Sequence, residues 1–364
     1  MFYFLSFLKD EIFVFNVLKY ITFRASFAAI TSMFLTMFLG PFVIKKLYEL
    51  KIGQNIRKEE CPPLFELHKD KEGTPTMGGL LIVLPVIFST LLWADLTNTF
   101  IWVVLLSTIW FSVTGFFDDY LKLRNKSSKG LSAKQKLLSQ IIFSFIIAAY
   151  FINNPETAYI STKLYFPFFK NWVLETGVFY TVIIVLVITG SSNAINLTDG
   201  LDGLAIGCFV IAMMPITAMA YISGHFKFAD YLHIQYIREA GELTVFCSAL
   251  IGAGMGFLWY NSYPAQVFMG DTGSLALGGV IGTVAVLIKK EIYLLIIGGV
   301  FVFEAISVIL QVGSYKLRRK RIFKMAPFHH HLEMKGWPET KIVVRLWIIS
   351  VIFALLGLST LKLR

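Results

Sequence analysis

The chain is dominated by apolar runs near the roughly 20 residues that a helix needs to cross a bilayer. In lipid such a run has to satisfy its backbone polar groups internally, so it folds as a helix. Ten spans are expected, at about 23–44, 80–93, 100–117, 137–151, 173–189, 204–221, 243–260, 274–288, 292–312 and 342–361. The expected fold class is all-α: a polytopic membrane protein of about ten transmembrane helices, forming one domain over residues 1–364. Gly298-Gly299 offers a break inside the ninth span. Residues 1–20 are apolar and aromatic but broken by Lys9, Asp10 and Glu11, with no basic leader and no small-residue cleavage site. They read as an N-terminal interfacial helix.

The formal net charge is +10, which suits anionic headgroups and phosphorylated substrates. Lys and Arg concentrate in the loops after spans one, three and nine, and the positive-inside rule places those loops in the cytosol. Alternation puts the loops after spans five and seven on the same side, and both termini outside. Five polar motifs then share the cytosolic face: the Thr74 segment, Asp118-Asp119, Asn193 to Asp202, Asn261 to Asp271, and His329-His330-His331. Charged groups at membrane depth are expensive and mark function, so the convergence marks a site. Asn193, Asn196, Asp199 and Asp202 recur every third residue, a spacing that gathers them along one side of a helix. Glu304, inside the ninth span, needs a partner, for which Arg345 is available. Cys61, Cys208 and Cys247 have no paired spacing and give no disulfide framework.

Acidic residues reach the site from three junctions: Asp118 and Asp119, Asp199 and Asp202, and Asp271. Crowded carboxylates repel one another and require a cation or protons. Hard oxygen ligands with asparagine nearby suit Mg²⁺ or Mn²⁺. Carboxylates not used on a metal are free for base or nucleophile work. Lys71, Lys122, Lys126 and Lys134 ring the same side. Acid-bound metal among lysines fits a diphosphate substrate.

Five segments carry a resemblance. They are Gly73-Thr74-Pro75-Thr76-Met77-Gly78-Gly79, Phe117-Asp118-Asp119-Tyr120, the run from Asn193 to Gly203, Val267-Phe268-Met269-Gly270-Asp271-Thr272-Gly273, and Pro327-Phe328-His329-His330-His331-Leu332-Glu333. As an ordered set over nearly the whole chain they resemble the phospho-N-acetylmuramoyl-pentapeptide transferases. These form one branch of the polyprenyl-phosphate N-acetylhexosamine-1-phosphate transferases. The resemblance implies a bacterial inner-membrane enzyme, a homodimer, that uses Mg²⁺ and has no nucleic acid among its partners. Its reaction would move phospho-MurNAc-pentapeptide from UDP-MurNAc-pentapeptide to undecaprenyl phosphate, yielding lipid I and UMP. It also implies roles. Asp271 would hold the metal. Asp118 would be base or nucleophile, with Asp119, Asp199 and His330 in the catalytic cluster. Lys71, Leu201, Asp202, Asn261 and Phe268 would line the uridine pocket. Thr76, Asn196, His329 and His331 would contact the nucleotide-sugar. From their position alone, Lys122, Lys126 and Lys134 join the substrate-binding candidates. A sister transferase using UDP-N-acetylglucosamine is one alternative. A transporter for an anionic substrate is another, but it predicts acids at mid-membrane and internal repeats, and neither is evident.

Overall fold

A computed structural model describes residues 1–8, 10–50, 71, 73–125, 130–154, 157–168 and 172–361. Twelve helices organise it: α1 (Ile21–Glu49), α2 (Leu80–Trp93), α3 (Thr99–Arg124), α4 (Ala133–Asn153), α5 (Tyr180–Thr198), α6 (Leu204–Ser223), α7 (Leu243–Asn261), α8 (Gly270–Leu287), α9 (Glu291–Ile297), α10 (Gly299–Arg318), α11 (Phe328–Glu333) and α12 (Glu339–Ser359). Among the described residues, nine helices are long and apolar enough to cross a membrane, and α2 is a shorter apolar helix. The chain is an all-α, multi-pass membrane protein. Its only described strands, β1 (Lys163–Tyr165) and β2 (Val173–Glu175), form an antiparallel hairpin.

The centre of the bundle is α8, in which every residue from Thr272 to Leu287 is buried. Helix α1 packs against α7 across small residues. A Cβ at Gly252 would lie 2.0 Å from the Ala29 carbonyl oxygen, so this contact admits only glycine. Ser32 Oγ donates to the Ala249 carbonyl across the same contact at 2.7 Å. At the end of the bundle opposite the acidic motifs, buried Arg24 forms a forked pair with Glu242 at 2.6 and 2.7 Å.

Three expectations change. The fifth span is α5, which starts only at Tyr180 because Val173 and Leu174 are used in the hairpin, and which runs on to Thr198. Residues 193–198 therefore belong to the fifth helix, beyond its expected end at residue 189. Polar side chains are tolerated on α5 because they face other helices. Ser192 Oγ donates to the Leu275 carbonyl, and Asn193 Nδ2 donates to Gln140 Oε1 at 2.7 Å. The four-residue polar stripe is thus not one helical face, since Asp199 and Asp202 lie in the turn beyond α5. The N-terminal segment is several short helical pieces, including Phe2–Leu5 and Phe13–Lys19. Its terminal ammonium donates to the Leu91 carbonyl near the end of α2. The break at Gly298, between α9 and α10, is where the sequence places it. Cys208 and Cys247 are buried free thiols, and Cys61 lies outside the described residues.

Candidate active site

Loops and helix ends meet at one end of α8. Residues 75–79 pair with residues 268–269: Phe268 N donates to the Pro75 carbonyl, Gly78 N to that of Phe268, and Gly79 N to that of Met269, each at 2.8 Å. This zipper brings Thr76 beside Gly270, which turns the chain into α8 with φ +70°. A Cβ at Gly270 would meet Asp119 Oδ2 at 2.7 Å and Thr76 Oγ1 at 2.8 Å, so a side chain has no room there.

Asp118 and Asp119 are neighbours on α3, about 100° apart around the helix, and they do different things. Asp119 caps α8 from outside. Its carboxylate accepts from Asp271 N (3.2 Å), Thr272 N (2.9 Å) and Thr272 Oγ1 (2.8 Å). A helix N-terminus leaves such N–H groups without partners, and an anion there is favoured. Asp118 is fully buried. Its Oδ1 accepts from Leu131 N at 2.7 Å, and its Oδ2 pairs with Lys122 at 2.6 Å and Lys136 at 2.9 Å.

Asp271, in the first turn of α8, faces both. Its Oδ2 lies 2.5 Å from Lys136 Nζ and 3.2 Å from Lys122 Nζ. Its Oδ1 accepts from Asn196 Nδ2 at 2.8 Å. One oxygen from each of Asp118, Asp119 and Asp271 can be chosen so that all three lie within 4.8 Å of one another. Opposite ligands of Mg²⁺ sit about 4 Å apart, and the ion prefers oxygen donors, so the set fits a small hard dication with little rearrangement. Two ammoniums already balance the same carboxylates, which is why three acids can share this space.

Asp199, half-buried in the turn after α5, completes the acidic rim. Burial, then the charges of Asp271, Asp119 and Asp202, push its carboxyl up to about 8. Asp202 belongs to a second group. Lys71 Nζ bridges Asp202 Oδ1 and Glu339 Oε1, both at 2.6 Å. Glu339 also accepts from Asp202 N at 2.7 Å, and Asp202 Oδ2 from Ala265 N at 3.0 Å. Asn261 uses its amide internally, accepting from Gly203 N and donating to the Val267 carbonyl. Leu201 is buried in the apolar core and Phe268 is half-buried.

The histidines divide. His329 is fully buried and faces Glu304, so Glu304 does not pair with Arg345, whose guanidinium lies over Trp337 at 4.5 Å. His330 Nδ1 pairs with Glu333 at 2.6 Å. His331 Nδ1 accepts from Lys324 N. Partial burial and then the charges of Lys335 and Lys324 hold its imidazole below the usual value.

The structure thus gathers Asp118, Asp119, Asp271, Lys122, Asn196, Thr76 and Asp199 around one point, and Lys71, Asp202 and Asn261 beside it. Lys126 lies outside the described residues. Lys134 is exposed on the first turn of α4, while Lys136, two residues and about 200° further round, makes the ion pairs. A capping box between Ser132 and Gln135 fixes where α4 starts, but which of its lysines meets the carboxylates depends on how α4 is turned against α3 and α8. Glu339 also escaped sequence reasoning, and its position just after Pro338 signals only a helix start.

Comparison with known proteins gives a consistent picture. A model of glycosyl transferase family 4 matches residues 101–289. A phospho-N-acetylmuramoyl-pentapeptide-transferase signature matches residues 71–83, a stretch that includes residues 75–79 zipped onto the entry to α8. A phospho-N-acetylmuramoyl-pentapeptide-transferase of Koribacter versatilis is 51% identical, over 99% of this chain and 98% of that one. Proteins of the same name from Citrifermentans bemidjiense and Desulfatibacillum aliphaticivorans are each 53% identical, over 96% of both chains.

Proposed function

This chain belongs to the phospho-N-acetylmuramoyl-pentapeptide-transferase family, and from that premise we propose how its acidic end carries out the family's transfer. The substrates are UDP-MurNAc-pentapeptide and undecaprenyl phosphate, and the products are lipid I and UMP. The enzyme works as a homodimer in the bacterial inner membrane, with the acidic end in the cytosol. The observation that carries the reading is the meeting of Asp118, Asp119 and Asp271 with Lys122 and Lys136 at one end of α8.

Asp271 would be the principal holder of Mg²⁺, with Asp118 and Asp119 in reach, and the ion would neutralise charge on the diphosphate. Asn196 fixes Asp271 through Oδ1, and Asp119 fixes the helix end on which Asp271 sits. Lys122 and Lys136 now pair with carboxylates, and phosphate oxygens of the same charge are alternative partners for their ammoniums. Asp118 lies near the end of a membrane-spanning helix, at the depth where a lipid phosphate meets water while its tail stays in hydrocarbon. That placement suits it to activate the acceptor phosphate. Lys71, held by Asp202 and Glu339, forms the neighbouring wall against which the nucleotide lies. His330 and His331, half-buried on α11, approach the sugar side.

Purified enzyme should release UMP from UDP-MurNAc-pentapeptide only when undecaprenyl phosphate is present. It should release none from UDP-N-acetylglucosamine. Release from the latter alone would assign the sister reaction, and release from neither would reject the transferase reading. Orientation has its own check. Lys335, exposed beside α11, replaced by cysteine in a chain lacking native cysteines, should resist a membrane-impermeant thiol reagent in intact cells. Rapid labelling from outside would reverse the topology.

A further inference from the structure

We propose that Glu304 is a positioning residue for the transferase site, acting through His329 on the turn that carries Asp199; this rests on the functional reading above. Glu304 lies in α10, a helix of membrane-spanning length, and is fully buried. A carboxylate in such a place is costly and needs a specific partner. Its Oε2 lies 3.3 Å from His329 Nδ1 and 3.3 Å from the His329 backbone nitrogen. Its Oε1 has no hydrogen-bond partner among the described residues.

The imidazole is equally enclosed, and neither ring nitrogen has a partner meeting hydrogen-bond geometry among the described residues. Beyond the ring lies Gly200: a Cβ there would sit 2.3 Å from His329 Nε2. The ring is therefore wedged between the Glu304 carboxylate and the backbone between Asp199 and Leu201. A carboxylate facing Nδ1 favours the tautomer with the proton on Nδ1, and the lone pair is then on Nε2, toward the turn. Because Gly200 adjoins Asp199, the ring is a floor under the turn that carries that carboxylate, whereas Asp202 has its own supports in Lys71, Glu339 and Ala265 N. Helix α11 has a separate anchor on α10 in the edge-on contact of Phe328 with Phe303, ring centres 4.8 Å apart. The Glu304–His329 pair is thus not required merely to dock that helix. It follows that His329 serves the site from beneath and does not touch the nucleotide-sugar.

The test is a double-mutant cycle of Glu304→Gln and His329→Gln, read by UMP release. Glu304→Gln should lower kcat about 10–100-fold, the usual range for loss of an outer-shell partner. KM for UDP-MurNAc-pentapeptide should stay within about twofold, and the thermal midpoint should be unchanged. Glu304→Asp should recover part of the loss. In the His329→Gln background, Glu304→Gln should cost less than about a further twofold, since coupled residues do not add. Independent multiplication of the two losses, or a wild-type kcat in Glu304→Gln, would overturn the proposal. A second readout does not depend on the reaction: ¹⁵N-histidine spectra, with the His329 signal identified by its loss in His329→Gln. The wild-type ring should show the Nδ1–H tautomer, and Glu304→Gln should shift it towards a mixture. An unchanged tautomer refutes the proposal even if the transfer assay succeeds. A shifted tautomer in an enzyme that releases no UMP supports the Glu304–His329 coupling and rejects the functional reading instead.

Discussion

Asp271→Asn is expected to lose transfer activity by on the order of 10³-fold or more, and added Mg²⁺ should not restore it. Asparagine keeps the size of the side chain and can still present an oxygen to Asn196 Nδ2, which now bonds Oδ1 at 2.8 Å. What disappears is the negative charge opposite Lys122 and Lys136. An anion does not itself stabilise charge on a transferring phosphoryl group, so Asp271 would act through the cation it holds; losing that cation should cost at least the about 10²–10³-fold of one preorganised electrostatic group. The wild-type enzyme should lose turnover in EDTA and regain it on adding Mg²⁺. Mn²⁺ binding followed by electron paramagnetic resonance separates the two contributions: Asp271→Asn should bind the ion much more weakly than wild type. Full wild-type activity in chelator would remove the metal from the mechanism. Normal Mn²⁺ binding by Asp271→Asn would move the metal ligand to another carboxylate.

The helices were legible from hydropathy because a membrane span is long and chemically uniform. The break at Gly298 was legible because two adjacent glycines interrupt an apolar run. The error at α5 has the opposite cause. Thr189, Ser192, Asn193 and Asn196 look like an interface by composition, but they bond to backbone and side chains inside the bundle. Hydropathy averages over a helix and does not register which face is lipid and which is protein. The acidic motifs could be grouped from loop alternation alone, which is a property of the whole chain. Their division of labour could not. That Asp119 caps α8 while Asp118 faces the lysines depends on how α3 is rotated against α8. That rotation is fixed by a close approach: a Cβ at Gly115 would lie 2.1 Å from the Asp271 carbonyl oxygen. Lys136 in place of Lys134 is the same kind of fact, a matter of helical phase. Charge alone pairs Glu304 with Arg345, whereas the packing of α11 brings His329 to it.

The same division of labour makes Asp118→Asn and Asp119→Asn distinguishable. In Asp118→Asn the amide oxygen can keep the bond from Leu131 N, now 2.7 Å long. The charge facing Lys122 and Lys136 is lost, and with it the group proposed to activate the lipid phosphate. Removal of a positioned base typically lowers the chemical rate about 10²–10⁴-fold. Single-turnover UMP release should fall by that order, while calorimetric binding of UDP-MurNAc-pentapeptide should stay within about threefold. Asp119→Asn acts elsewhere. Its carboxylate accepts three bonds at the start of α8, from Asp271 N, Thr272 N and Thr272 Oγ1. An amide has one accepting oxygen instead of two, so at least one donor loses its partner and the helix end that carries Asp271 loosens. Loss of such a cap costs roughly 0.5–2 kcal/mol, so the thermal midpoint should drop. The Mg²⁺ concentration for half-maximal rate should rise, with part of the rate recovered at high Mg²⁺. Recovery of Asp118→Asn by Mg²⁺, or loss of its nucleotide-sugar binding, would take the activating role away from Asp118. The base would then be sought at Asp199, whose carboxyl is already pushed up to about 8 by burial and by Asp271, Asp119 and Asp202.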